Sequence, residues 1–316
     1  MDEPGTAAFS SGSIPGRSST TNADECDSGS CGEATVSPLT DDEESAFDAC
    51  DPQTERERIR SFLNERVERA TADGVIVNMS GGLDSTVTAA LAVEALGADN
   101  VYGLILPCNK IGAPHARDAE ALANALGIAH DTVHLQPLFA QFGAVAPDQF
   151  DLHDEPTRSG NAVARLRMTL AYLAANATNR LVCGTTNRSE LLLGYFTKYG
   201  DGAVDLLPLG HLYKTDVRAL AAELAVPEFV VEKTPSAGFL PGQRDTDDLG
   251  AAYEAIDPIL QLGVDRDLGV EAITDRIGGV DTDQSVDEKT VTDLLERYRS
   301  TVHKRAPPPI PDAAGR

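Results

Sequence analysis

The chain has 316 residues, room for one large or two ordinary domains, and a net charge of −24 at neutral pH. So acidic a balance argues against nucleic acid as the main partner, because nucleic-acid binding usually leaves a basic patch. No stretch approaches the ~18 uninterrupted apolar residues of a membrane span, and Cys26, Cys31, Cys50, Cys108 and Cys183 form no CxxC pair, which favours free thiols in a reducing cytoplasm over a disulfide framework or a zinc site.

Residues 1–52 carry twelve acidic residues and one basic residue, Arg17, with almost no periodic apolar positions. They read as a disordered acidic tail, not a signal peptide, since neither a basic n-region nor an apolar h-region is present. Residues 53–311 are expected to form the ordered domain, with 312–316 flexible. Acidity, many alanines and few lysines suggest a salt-loving source; an ordinary acidic cytoplasmic protein fits the composition equally well.

A first helix is expected over 54–70, with Ile59, Phe62, Leu63 and Val67 on one stripe. The apolar run 75–79 reads as a buried strand, and 85–96 as a helix that follows at once. Then come a strand over 100–106 ended by Pro107, a helix over 114–126 stopped by Gly127, and a strand over 128–135. A long helix over 161–176, a short strand over 180–183, and helices over 215–224 and 253–262 complete the pattern. The proline-rich stretch 306–311 is expected to be extended. Strands alternating with helices imply an α/β fold: a doubly wound parallel sheet with helices on both faces. Ligands then sit beyond the carboxyl ends of the strands, where the loops at 80–85 and 184–190 lie.

Ser80-Gly81-Gly82-Leu83-Asp84-Ser85 lies between that strand and that helix. Two glycines let backbone N–H groups turn inward, and the helix N-terminus adds free N–H groups and partial positive charge. Ser80 and Ser85 add hydroxyls. This is a cradle for an anion, pyrophosphate being the natural guest. Asp84 suits such a place if Mg²⁺ bridges its carboxylate and phosphate oxygens. GxxxxGK[ST] is absent, so this is not a Walker loop. The second strand end, Gly184-Thr185-Thr186-Asn187-Arg188-Ser189-Glu190, brings Thr185, able to bond an adenine or ribose edge, and a second carboxylate, Glu190. The loop 194–209 holds glycines, Tyr195, Tyr199, Lys198 and Asp205, the composition of a shaped binding loop. Lys214 opens the next helix and could reach phosphate.

The loop resembles the SGGxDS pyrophosphate loop of the ATP-pyrophosphatase superfamily. GTTNRSELLLGYFTKYGDGAVDLLPLGHLYKTDVRALA, Lys233-Thr234-Pro235-Ser236, Leu249 to Asp257, Gly160 to Met168, and His303-Lys304-Arg305 together resemble ammonia-dependent NAD synthetase over about residues 55–311. That resemblance implies an adenine nucleotide alpha hydrolase-like, Rossmann-like three-layer fold. It implies a ligase that amidates deamido-NAD with ammonia at the last step of NAD biosynthesis, with ATP as co-substrate, an adenylated intermediate, and AMP and pyrophosphate released. No protein nucleophile is required. Carried over by position, Ser80, Gly81, Gly82, Leu83, Asp84, Ser85, Thr185, Lys214 and Ser236 would bind ATP, and Asp84 and Glu190 would bind Mg²⁺. Arg165, Tyr172, Lys198, Asp205, His303 and Lys304 would bind deamido-NAD, Tyr172 by stacking on the pyridine. A homodimer with deamido-NAD at the subunit interface is implied too. Ser236 stands where relatives often have Thr, and Ile105 where many bacterial relatives carry an ATP-contacting Arg.

Rival readings are weaker. A tRNA thiolase wants catalytic or metal-binding cysteines and a basic face. A glutamine-dependent amidotransferase wants a glutaminase domain, too large for the acidic tail. A nucleotide sensor would need the loop but not Glu190, Lys198 and Asp205 together, and an interaction protein would depend on the tail.

Overall fold

The computed structural model describes residues 50–108, 112–150, 152, 155–236, 242–277 and 286–311. Among these residues four parallel strands, β1 (Val75–Asn78), β2 (Val101–Ile105), β3 (Ala129–Thr132) and β4 (Leu181–Cys183), lie in the spatial order β3-β2-β1-β4. The chain thus steps outward from β1 to β2 and β3, then returns to add β4 on the other side of β1. That reversal makes β1/β4 the switch point of a doubly wound sheet.

The helix α1 (Pro52–Ala70) starts where Asp51 accepts the Thr54 N–H at 3.0 Å and Pro52 supplies a helix-ready φ. It ends at Thr71 in the left-handed region. Its Ile59, Leu63 and Val67 recur every fourth residue and are buried. The helices α2 (Leu83–Leu96), α3 (Gly112–Ala125), α4 (Gln136–Val145), α5 (Pro156–Thr178), α6 (Arg188–Leu193) and α7 (Lys214–Glu223) follow. Short α8 (Glu228–Val231) and α9 (Asp245–Leu249) lead to α10 (Tyr253–Leu260), α11 (Val270–Ile277), α12 (Glu288–Ser300) and α13 (Val302–Arg305).

Strand alternation divides the core. Val75, Val77 and Met79 pack with α1, α2, α3 and α7 on one face. Ile76, Leu104 and Val182 pack with Val163, Ala171 and Ala175 of α5 on the other. Each fully buried Val or Ile of β1 contributes about 2 kcal/mol relative to exposure. The sheet is therefore covered on both faces, as the alternating pattern predicts. A separate apolar cluster joins α6, α10, α11 and α12 through Leu193, Ile256, Ile259, Ile273, Val291 and Leu295.

Several expectations shift. β3 ends at Thr132 rather than 135: the Val133 and Leu135 N–H groups still donate to the Ile105 and Pro107 carbonyls at 2.8 Å, but Leu135 takes helical dihedrals and caps α4, a helix that no sequence period marks. α5 starts five residues early, at Pro156, where proline is favoured in a first turn. Ahead of the proline-rich stretch 306–311, in a region with no expected element, lie two helices, α12 and α13. Of the acidic tail, only residues 50–52 are described, and they cap and open α1; residues 1–49 and 312–316 lie outside the described residues. Among the described residues no helix is long and apolar enough to cross a membrane.

Candidate active site

β1 and β4 both deliver their chain into the crevice at the switch point. After β1 the backbone folds back on itself: Gly82 N–H donates to Ser80 Oγ at 3.3 Å, Ser80 N–H donates to Ser85 Oγ at 3.2 Å, and the two hydroxyls lie 3.0 Å apart. Gly82 takes the cap position of α2, and its carbonyl accepts from Thr86 Oγ1 at 2.7 Å. No side chain caps α2, so its first N–H groups keep their capacity for an anion. Gly81 has φ +71°, and a Cβ there would lie 2.5 Å from the His115 carbonyl oxygen of α3. Leu83 is buried in the core, so only its backbone faces the loop. Lys233 donates to the Gly81 carbonyl at 2.8 Å and pairs with Asp118 at 2.8 Å. A fixed cation therefore borders the cradle, and Ser236 follows it three residues later on an exposed stretch.

Asp84 lies in the first turn of α2 and Glu190 in the first turn of α6. The structure brings them to one cation: Lys214 Nζ lies 2.5 Å from Asp84 Oδ2 and 3.3 Å from Glu190 Oε1. Asn187 caps α6, accepting the Glu190 N–H at 3.0 Å, and its amide donates to Asp84 Oδ1 at 3.0 Å. Lys214 is buried, with its Nζ 5.3 Å from the Tyr253 ring centre. Burial opposes the ammonium charge, yet Asp84 and Glu190 hold its pKa above the usual lysine range. Burial also pushes the Glu190 carboxyl well above the usual carboxylate range, with Lys214 opposing and Asp84 adding to the rise. Asp245, itself buried, accepts from Tyr253 at 3.0 Å and Tyr195 at 3.1 Å beside this group. Thr185 sits partly exposed at the end of β4, next to the same crevice.

Among the described residues no group of three or more His, Cys, Asp or Glu side chains is arranged to hold a metal. Two carboxylates are nevertheless the donor set that Mg²⁺ uses when substrate phosphates and water supply its remaining ligands.

The second set of predicted residues gathers along α5. Arg165 donates to the Lys198 carbonyl at 3.2 Å, and Lys198 Nζ donates to the His303 carbonyl at 2.6 Å. Lys304 donates to the Gly194 and Phe196 carbonyls at 2.7 and 2.8 Å. Burial lowers its pKa, and nearby Arg297 and Arg165 lower it further. Four basic side chains thus crowd one place in a strongly acidic chain. Two turns along α5, Tyr172 OH donates to Asp205 Oδ1 at 3.1 Å, and Asp205 Oδ2 accepts the Val182 N–H of β4 at 2.7 Å.

Asn187, Lys233, Asp245 and Tyr253 belong to the site, although the sequence reading gave them no role. Apart from the Tyr253–Asp245 hydrogen bond, eight residues apart, their partners are distant in sequence; only the Asn187 cap followed three residues on by Glu190 carries a local signature. Ile105 is buried in the core at the end of β2 and offers the crevice no side chain.

Residues 55–308 match the NAD synthase family. The chain is 43% identical over 263 residues to the NH(3)-dependent NAD(+) synthetase of Methanosarcina mazei, covering 83% of this chain and 99% of that protein. It is 42% identical over 277 residues to the NH(3)-dependent NAD(+) synthetase of Halobacterium salinarum, covering 88% and 98%. Among solved structures, NMN synthetase from Francisella tularensis superposes with TM-score 0.71 at 33% identity, covering 83% of this chain and 99% of that one. NH3-dependent NAD synthetase from Campylobacter jejuni superposes with TM-score 0.69 at 29% identity, covering 84% and 100%.

Proposed function

The chain belongs to the NAD synthase family, and on that premise we propose that it amidates the nicotinate carboxylate of deamido-NAD with ammonia, consuming ATP and releasing AMP and pyrophosphate. The observation that carries this reading is the meeting of the Ser80–Ser85 cradle, Asp84, Glu190 and Lys214 at the β1/β4 switch point. A carboxylate is a poor acyl donor until its oxygen is adenylated. Its attack on the α-phosphorus forms the acyl-adenylate and expels pyrophosphate; ammonia then attacks the carbonyl carbon, loses a proton and expels AMP. The chain's task is to hold the two nucleotides so that carboxylate and α-phosphorus meet, and to stabilise developing phosphoryl charge.

In this reading Ser80, Gly81, Gly82, Leu83 and Ser85 hold the ATP phosphates through backbone N–H groups and hydroxyls. Lys214 turns from its carboxylates toward phosphate, and Thr185 and Ser236 contact ATP from the crevice rim. Asp84 and Glu190 would hold a Mg²⁺ ion, which when bound neutralises phosphate charge. Arg165, Lys198, His303 and Lys304 meet the dinucleotide's anionic pyrophosphate, while Tyr172 and Asp205 flank its pyridine and hydroxyl groups.

Apolar side chains stand exposed on α4 and just after it, Leu138 at 43%, Phe142 at 44%, Val145 at 77% and Phe150 at 55%, with Leu173 of α5 at 63%. These exposed apolar side chains support a homodimer, which light scattering of the purified protein tests. The charge of −24 supports a cytoplasmic enzyme that stays soluble and active in concentrated salt.

The acceptor is tested by offering deamido-NAD and nicotinate mononucleotide separately with ATP, Mg²⁺ and ammonium. Preferential amidation of the dinucleotide supports the reading. Preferential amidation of the mononucleotide would move the activity toward that of the Francisella tularensis relative.

A further inference from the structure

One predicted stretch, Leu249 to Asp257, contributes no ligand contact to the proposed reaction, yet it ends in a buried carboxylate. Asp257 on α10 is 4% exposed. Its Oδ1 accepts from Ser189 Oγ at 2.5 Å. Its Oδ2 accepts from both the Thr215 N–H and Thr215 Oγ1, each at 2.9 Å. Ser189 Oγ in turn accepts the Lys214 N–H at 2.9 Å. A buried carboxylate is costly unless its lone pairs are satisfied, and these three donors satisfy it from two different helices.

The identity of those donors gives the carboxylate its meaning. Ser189 immediately precedes Glu190 in the first turn of α6, and Thr215 immediately follows Lys214 in the first turn of α7. One side chain therefore ties together the two helix starts that carry the lysine and its second carboxylate. We propose that Asp257 is a positioning residue for the reaction: it fixes α6 against α7 so that Lys214 and Glu190 face each other and the phosphate cradle. A neutral amide does not serve as well. Turned toward Thr215, the NH2 of an asparagine would confront the Thr215 N–H, donor against donor; turned toward Ser189, it would donate to Oγ and reverse that bond, so the Ser189 hydroxyl proton would lose its partner. Ser189 is the pivot, because its single oxygen both donates to Asp257 and accepts from Lys214.

This proposal rests on the NAD synthase reading, and the test separates the two. Wild type, Asp257→Asn and Ser189→Ala are assayed as full chains with ATP, deamido-NAD, Mg²⁺ and ammonium, and each is checked for a cooperative thermal melt. A positioning role lowers kcat of Asp257→Asn by about tenfold or more, with KM for deamido-NAD within about threefold, because the basic groups on α5 and α13 are untouched. Ser189→Ala, which keeps the charge and removes the pivot, lowers kcat by about threefold with the same unchanged KM. A folded Asp257→Asn protein with kcat within about twofold of wild type, or one that loses KM alone, overturns the proposal. If Asp257→Asn does not fold, Ser189→Ala decides by the same split between kcat and KM. A wild-type protein that makes no NAD would instead overturn the reading on which the proposal rests.

Discussion

Lys214 stands between Asp84 and Glu190, its ammonium 2.5 Å from one carboxylate and 3.3 Å from the other. The two acids come from different strand ends of the sheet and would repel each other without it. Truncating one partner of a buried ion pair leaves uncompensated charge, which costs about 3 kcal/mol or more. Lys214→Met is therefore expected to melt several degrees lower than wild type. Losing a cation aimed at developing phosphoryl charge should also reduce kcat/KM by about a hundredfold. Calorimetry and steady-state kinetics on the same preparation check both.

Gly81 has no room for a side chain. Its φ of +71° disfavours any L-residue with a Cβ, and that Cβ would meet a backbone oxygen of α3 at 2.5 Å. Gly81→Ala is expected to cost about 1–3 kcal/mol in stability and to raise KM for ATP more than KM for deamido-NAD. A melting curve and separate substrate titrations test this; an unchanged KM for ATP in a folded variant speaks against the cradle.

The basic cluster makes the opposite prediction. Arg165→Ala and Lys198→Ala alter groups that touch each other and the C-terminal segment, but not the phosphate loop. Each should raise KM for deamido-NAD by about tenfold while leaving KM for ATP nearly unchanged. Isothermal titration with each nucleotide provides the check.

Asp257 also predicts a dependence of stability on pH. Burial pushes its carboxyl up from 3.8 to about 6, opposed by its Ser189 and Thr215 hydrogen bonds and increased by nearby Asp216. Because the folded pKa lies above the unfolded one, the protonated form favours folding: this contribution is full below pH 4 and is lost as pH rises through about 6. Asp257→Asn removes the titration, so the stability difference between wild type and variant should shift against wild type by about 3 kcal/mol across that window. Denaturant melts of both proteins between pH 4 and pH 7 test it; parallel profiles would contradict it.

The legible part of this molecule is the part with a local period or a local turn. Val75 to Met79 followed by two glycines and a helix reads directly as strand, cradle and helix, and the order of strands and helices implies the doubly wound sheet. Lys214 shows the limit. Its place at a helix start is readable, but its burial between Asp84 and Glu190 depends on contacts 130 and 24 residues away. Asp257 reaches Ser189 across 68 residues and Lys233 reaches Gly81 across 152, separations that leave no trace in periodicity. The helix α12 is different: buried Val291, Leu294 and Leu295 recur at helical spacing, a period legible in the sequence.

The most direct test of the account is a time course of NAD and AMP together, from deamido-NAD, ATP, Mg²⁺ and ammonium, for wild type beside Asp84→Ala. The account predicts that wild type forms NAD and AMP one for one, and that Asp84→Ala, still folded, loses about a thousandfold or more of that rate. ATP turnover without NAD, or an Asp84→Ala protein that keeps wild-type turnover, would contradict it.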